Sequence, residues 1–163
     1  MKITKKTTIF IILVVFFVAL DRFLKALCLK GALNDRLPIF GDIFGLHFAK
    51  NYYIAFSLPF SGPILTVLIG LVIATLIAYW FKLLKKTSLP NTSYQIPATN
   101  IYALTILIIG AILNFTDRLI FGFVIDYFDL KWFTVFNLAD IMISVPVTFI
   151  ILSNLRKNKN YGI

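Results

Sequence analysis

The sequence predicts an all-α polytopic membrane protein with four transmembrane helices, and two observations lead to this class. The first is composition, because 60% of the 163 residues are hydrophobic and the mean hydropathy is +0.90. A soluble domain of this size buries only part of its surface and has no room for so many apolar side chains. With a single Cys, the composition also excludes a disordered chain, a collagen-like fibre and a disulfide scaffold.

The second observation is a set of four hydrophobic runs, each long enough to cross a bilayer as a helix. They predict spans at about 8–29, 64–81, 98–116 and 139–155, with outer loops at about 30–62 and 117–138. A cleaved signal peptide is the alternative for the first run, but no small-residue cleavage site follows it and three further spans do. Residues 1–163 are therefore predicted to form one membrane-embedded domain.

The charges indicate how these spans are oriented. The chain has 16 Lys and Arg against 7 acidic residues, all of them Asp, for a net charge of +9. Residues 1–6, 82–86 and 156–159 hold nine of the basic residues and no acid. The positive-inside rule then predicts that both termini are cytoplasmic and that the two long loops lie outside. These basic segments are topology signals and lipid-headgroup contacts, so nucleic acid is not an expected partner.

The two outer loops carry structure of their own. Phe44, Leu46 and Phe48 alternate with other residues, and this period of two predicts a β-strand. Residues 121–136 are rich in aromatic and β-branched side chains. Both loops are predicted to lie against the membrane face, as a small sheet and an interfacial segment.

Carboxylate and amide side chains collect at the outer ends of the predicted helices. Charged residues are expensive within a bilayer and are usually functional there. Those at one outer depth are Asp21, Asp117, Asp126, Asp140, Asn51, Asn114 and Asn137.

Paired carboxylates are the chemistry that this set favours. One Cys (Cys28) and one His (His47) argue against a Cys/His nucleophile, and no phosphate loop or HExxH zinc motif occurs. Two neighbouring Asp side chains share a proton and act together as base and acid. Helix capping or pairing with a cation is the alternative, and it is favoured for Asp35, Asp42 and Asp129. For Asp126 and Asp140 the residue pattern alone leaves both interpretations open.

Five sequence blocks resemble the motifs of lipoprotein signal peptidase (signal peptidase II), and they occur in that family's order. The block at 110–118, GAILNFTDR, resembles G-A-x-G-N-x-x-D-R. The others are DRFLK at 21–25, NYYIAFS at 51–57, GFVIDYF at 122–128 and FNLAD at 136–140. They resemble D-Q-x-x-K, N-x-G-A-A-F-S, G-x-V-V-D-F and F-N-x-A-D, respectively. Together they extend over most of the chain.

The resemblance implies a membrane aspartic endopeptidase in which Asp126 and Asp140 are the catalytic pair. Its fold would be four transmembrane helices with a small extracytoplasmic β-cradle and an interfacial segment. The enzyme would cut bacterial prolipoproteins before a diacylglyceryl-modified cysteine, with no metal and no cofactor. It would act as a monomer among membrane lipids of the bacterial inner membrane, with its active site toward the extracytoplasmic face. Residues expected to position the substrate and the pair, or to brace the site, are Asn51, Asn114, Arg118, Asn137, Asp21, Lys25 and Asp117.

The chain also departs from the family motifs. Tyr53 and Ile54 replace Gly and Ala, Leu113 replaces a Gly, and Arg22 replaces Gln. All the polar residues of the expected site are retained. Two other functions are open to the same residues: a small proton-coupled transporter, and a catalytically inactive relative that acts as a membrane interaction partner.

Overall fold

Four long helices form the bundle in the structure, a computed structural model that describes residues 4–53, 62–87 and 98–160. Helix α1 runs over Lys5–Leu29, α2 over Pro63–Thr87, α3 over Ala98–Phe121 and α4 over Leu138–Asn160. In each of them a stretch is long and apolar enough to cross a membrane. Their outward faces expose large apolar side chains such as Val15, Ile64 and Leu119, as expected where lipid replaces water as the solvent. The prediction of a four-helix membrane protein is confirmed.

The helices extend beyond the predicted spans at both ends of the bundle, and opposite the sheet α2 and α4 continue to Thr87 and Asn160. Helix α3 continues to Phe121, five residues beyond the predicted end. Asp117 and Arg118, placed by the sequence at about the start of the following loop, therefore lie in the last two turns of α3. The reason is that Leu119, Ile120 and Phe121 continue the apolar sequence beyond the charged pair, so that the helix is not interrupted there.

The two loops that were predicted to lie outside contribute to one antiparallel sheet. Its strands are β1 (Leu37–Phe40), β2 (Phe44–Asn51), β3 (Val124–Leu130) and β4 (Val135–Phe136), in the order β1-β2-β3-β4. Strand β2 contains the alternating segment from which a strand was predicted. The segment for which an interfacial position was predicted forms β3, a turn and β4. That turn carries Trp132 and Phe133, both largely exposed.

Two clusters of buried residues lie near the end of the bundle that carries the sheet. One cluster joins α1, β3 and the start of α4 through Cys28, Leu33, Ile125, Tyr127 and Leu138. A second joins α3 to α4 through Leu113, Ala139 and Met142. The carboxylate and amide side chains described below lie between and beside these two clusters, so their positions are set by well-packed surroundings.

Candidate active site

Asp126 is buried on strand β3 between two asparagine side chains. Its two carboxylate oxygens accept hydrogen bonds from Asn137 Nδ2 at 2.6 Å and from Asn51 Nδ2 at 2.9 Å. The register pairs Ala49 on β2 with Asp126. Asn51 lies two residues further along β2 and therefore projects from the same face of the sheet. Strand pairing thus brings Asn51 and Asp126 together although they are 75 residues apart in the sequence.

Asp140 lies in the first turn of α4 and forms a reciprocal cap with Asn137. The backbone N–H of Asn137 donates to Asp140 Oδ2 at 3.0 Å, and the backbone N–H of Asp140 donates to Asn137 Oδ1 at 2.9 Å. This is the arrangement of a capping box, which satisfies N–H groups that a helix leaves unpaired at its start. Because Asn137 Nδ2 also donates to Asp126, this one asparagine connects both carboxylates.

Asn114 links Asp140 to a buried cluster of charges. Its Nδ2 donates to Asp140 Oδ1 at 2.7 Å, and its Oδ1 accepts from Lys25 Nζ at 3.1 Å. Lys25 Nζ also lies 3.1 Å from Asp21 and 2.7 Å from Asp117. A lysine ammonium has three hydrogens, and here each has an oxygen partner. Lys25 is 2% exposed, and Asp21 and Asp117 are fully buried.

Arg22 balances the charge of this cluster. Its guanidinium lies 2.9 Å from both Asp21 and Asp117 and also donates to the backbone oxygen of Leu113 at 3.2 Å. With Lys25, it gives two cations for two buried carboxylates. Buried charges persist only when they are paired and hydrogen-bonded, and among the described residues every buried side-chain nitrogen and oxygen has a partner.

Tyr127 connects the cluster to the start of α4. Its hydroxyl donates to Asp21 Oδ1 at 3.0 Å and accepts from the backbone N–H of Leu138 at 3.0 Å. The side chain is fully buried. Burial is the main cause that raises the pKa of its hydroxyl, and the charge of Asp21 adds to it, so the group remains a protonated donor.

A cleft of about 560 Å³ opens beside the two carboxylates. Its charged and amide lining comes from Asn51, Asn114, Arg118 and Asp140, and Thr134 and Ser144 add hydroxyl groups. Asp126 is not in the lining and is 1% exposed. Most of the remaining wall is apolar and is supplied by α2, α3, α4 and the β3–β4 turn; it includes Ile69, Ala111, Phe115, Phe133, Val135, Ile141, Ile143 and Val145. The cleft therefore presents one polar end to an otherwise apolar space.

Arg118 lies at the wall of this cleft and holds the chain that follows β2. Its guanidinium donates to the backbone oxygens of Tyr52 at 3.3 Å and Tyr53 at 2.5 Å. It makes no hydrogen bond to the carboxylate pair among the contacts of the described residues. The remainder of the 51–57 block, from Ile54 onward, lies outside the described residues.

The environment of Asp126 favours the protonated form of its carboxyl group near neutral pH. Burial, and next the charge of Asp140, raises the pKa of Asp126 from 3.8 to about 7, although hydrogen bonds from Asn51 and Asn137 oppose the shift. A carboxyl group with such a pKa is partly protonated at pH 7. Two carboxyls that share a proton supply both an acid and a base.

The nine residues expected from the sequence converge at this end of the bundle. Eight of them belong to one continuous set of hydrogen bonds and ion pairs, and Arg118 stands apart at the cleft. The expectation missed two residues that complete the set, Arg22 and Tyr127. A signal was present in each case, because Arg22 replaces Gln and Tyr127 replaces Phe in the motifs that the chain resembles.

The three acids for which ordinary pairing was favoured lie away from this set. Asp129 pairs with Arg36, and Asp42 lies 3.7 Å from Lys131. The first pair joins the residue before β1 to β3, and the second joins the β1–β2 turn to the β3–β4 turn.

The fold and the site define a polytopic membrane protein with a pair of aspartates at one end of its bundle, Asp126 buried and Asp140 partly exposed at the cleft. The family model described as signal peptidase (SPase) II matches residues 12–156. The chain is 35% identical over 155 residues to a lipoprotein signal peptidase of Lactococcus lactis, a match that covers 93% of this chain and 95% of that protein. Another, of Halothermothrix orenii, is 33% identical over 144 residues, covering 86% and 91%.

The structural comparison agrees on the fold. A bacterial membrane enzyme solved by the in meso method at 2.3 Å resolution aligns with a TM-score of 0.74 and 24% identity, covering 95% of this chain and 92% of that one. The chain belongs to the signal peptidase II family, which places it among the membrane aspartic peptidases.

Proposed function

We propose that this protein removes signal peptides from diacylglyceryl-modified bacterial prolipoproteins, with Asp126 and Asp140 as the catalytic pair. The observation that carries the proposal is the bridge through Asn137, which bonds to both carboxylates beside an apolar cleft. Of the seven Asp residues, these two alone combine contact with Asn137 and proximity to the cleft among the described contacts. The family of the chain supports the same reaction.

The proposed reaction is hydrolysis of the peptide bond before the lipidated cysteine. One carboxylate takes a proton from water while the water oxygen attacks the carbonyl carbon, and the protonated carboxyl of the pair donates to the carbonyl oxygen. The carboxyl group that took the proton from water then donates it to the leaving nitrogen, the other carboxylate takes a proton from a hydroxyl of the tetrahedral intermediate, and the C–N bond breaks. The partial protonation of Asp126 near pH 7 supports this division between an acid and a base.

The supporting residues fall into two groups. Asn51, Asn114 and Asn137 donate to the catalytic carboxylates, and Arg118 presents its guanidinium at the cleft where a substrate backbone would lie. The group that braces them is Asp21, Lys25 and Asp117, which meet in the buried charge cluster.

The substrate is proposed to enter from the bilayer as a lipid-anchored chain. The apolar cleft wall between α2, α3 and α4 suits acyl chains, while its polar end suits the peptide. The described basic residues Lys5, Lys6, Lys85, Lys86 and Arg156 lie at helix ends opposite the sheet. Their position supports cytoplasmic termini and an extracytoplasmic active site. Because one chain supplies the whole set of residues, we propose a monomer in contact with membrane lipids, with no metal or cofactor.

The test is a gel-shift assay with purified protein and a diacylglyceryl-modified prolipoprotein. Asp126→Asn and Asp140→Asn should each abolish cleavage, whereas Asp42→Asn should retain it because Asp42 is exposed and is not part of the cleft lining. Cleavage at the wild-type rate by either of the first two variants would overturn the assignment. Absence of cleavage by the wild-type protein would favour the inactive relative, and flux of a solute driven by a pH gradient would favour the transporter.

A further inference from the structure

We propose that Tyr127 is a positioning residue for this cleavage reaction: its hydroxyl ties the first turn of α4, which carries Asp140, to β3, which carries Asp126. The inference rests on the proposed function of the two carboxylates. It concerns the contacts that hold the two carboxylates at the separation that catalysis needs. The two hydrogen bonds of the Tyr127 hydroxyl group support it.

The Tyr127 hydroxyl makes two buried hydrogen bonds to two different helices. It donates to Asp21 Oδ1 on α1 and accepts from the backbone N–H of Leu138 on α4, both at 3.0 Å. The amide of Leu138 is at the first position of α4, where a helix offers no internal partner for an N–H group. Tyr127 therefore joins α1, β3 and α4 through a single oxygen atom.

The side chain stands on the opposite face of β3 from Asp126, because successive residues of a strand alternate. It is not part of the cleft wall, so it has no direct contact with a substrate bound there. Its ring packs in the cluster that contains Cys28, Leu33 and Leu138. A phenylalanine at this position keeps that packing and removes only the hydroxyl.

Loss of the hydroxyl acts on the catalytic pair through Asn137. Leu138 follows Asn137 directly and precedes Asp140 by two residues. Without its acceptor, the Leu138 N–H is buried and unpaired, and the first turn of α4 is free to shift toward another partner. Such a shift changes the hydrogen bonds of Asn137 to Asp126 and Asp140, and with them the separation of the two carboxylates.

The experiment compares Tyr127→Phe with Tyr102→Phe in the full-length protein. Tyr102 is a matched control, because its hydroxyl also bonds between helices, to Thr7 Oγ1 at 3.1 Å, at a distance from the site. Displacement of reacting groups by ~1 Å costs about 100-fold in rate. We therefore expect Tyr127→Phe to lower kcat by roughly 10- to 100-fold, with KM within about twofold of wild type. Tyr102→Phe should keep both constants.

Thermal unfolding in detergent separates positioning from stability. Cleavage is measured well below the unfolding temperature of each variant and is expressed per folded molecule. Unchanged kcat for Tyr127→Phe under these conditions, or a loss that resides only in KM, would overturn the positioning role. The Asp126→Asn variant is assayed separately. If it still cleaved the substrate, the proposed function itself would fail, whatever the result for Tyr127→Phe.

Discussion

Substitution of Gly110 by alanine tests whether close approach of two helices sets the geometry of the site. Gly110 lies on α3 facing α4. A Cβ at this position would lie 2.8 Å from the backbone oxygen of Ala139 and 2.9 Å from Met142 Cβ. Asn114 follows one helical turn later on α3, and Asp140 follows Ala139 on α4. The same contact therefore controls the 2.7 Å hydrogen bond between Asn114 and Asp140.

The magnitude of the effect follows from these distances. Carbon atoms in contact are normally about 3.5–4.0 Å apart, so the new Cβ is too close to Met142 Cβ by roughly 0.6–1.1 Å. The atoms in the way belong to the α4 backbone or are directly attached to it, so relief requires the helices to move apart. A matching displacement would stretch the Asn114–Asp140 hydrogen bond to about 3.3–3.8 Å, beyond its useful range.

Two opposing contributions determine the unfolding free energy of the Gly110→Ala variant. Overpacking costs about 1–3 kcal/mol, whereas alanine is favoured over glycine within a helix by about 1 kcal/mol. The net loss of unfolding free energy is then at most about 2 kcal/mol. Catalysis should suffer more, because a displacement of ~1 Å costs about 100-fold. We expect kcat to fall roughly 10- to 100-fold in a protein that still folds.

The assay is steady-state cleavage of the lipid-modified precursor, combined with thermal unfolding in detergent. Gly70→Ala on α2 is the control, because its Cβ would meet only the far end of the Phe115 side chain, at 3.2 Å. That ring can turn away, so kcat should be retained, and only KM should change because Phe115 lines the cleft. Wild-type kcat in Gly110→Ala would refute the argument that helix spacing positions Asn114 against Asp140.

The remaining predictions concern charge. Because folding raises the pKa of Asp126 to about 7, its contribution to stability is present below pH ~4 and is lost as pH rises through ~7. Asp126→Asn should therefore gain stability relative to wild type between pH 5 and 8, by roughly 2–4 kcal/mol, which denaturation in detergent at several pH values measures. Lys25→Met leaves Asp21 and Asp117 without their buried partner and should lose about 3–5 kcal/mol, read as a lower unfolding temperature. Arg22→Gln removes a cation that is 35% exposed, so water can partly replace it, and the variant should lose roughly 1–3 kcal/mol; an equal loss in the two variants would contradict the assigned burial.

Much of the fold was predictable because the insertion of a helix into a bilayer depends on local properties of the chain. Hydrophobic runs of sufficient length predicted four membrane helices, and alternation at Phe44, Leu46 and Phe48 predicted the strand that became β2. Helix ends were harder to predict. The pair Asp117–Arg118 reads as the start of a loop, yet the charges are buried or placed at the cleft by partners on other elements, so α3 continues through them.

The candidate site was predictable as a set of residues but not as a geometry. Its carboxylates and amides were recognised from their depth and from motif resemblance. Their pairing was not predictable, since Asn51 reaches Asp126 through strand register and Asn114 reaches Asp140 through the α3–α4 contact at Gly110. Tyr127 was missed although it replaces a Phe of the motif, because a buried aromatic residue at that position fits a core as well as it fits a hydrogen-bonding role.

The class of protein, the number of membrane helices, the family and the residues available for chemistry could all be predicted from the sequence. These properties depend on composition, local periodicity and motif order, which need no knowledge of distances. The contacts between side chains required the three-dimensional fold: Asn137 lies between the two carboxylates, Lys25 and Arg22 lie among buried acids, and Tyr127 joins three elements. Such contacts depend on helix spacing and strand register to within about 1 Å, because hydrogen bonds weaken rapidly beyond that range.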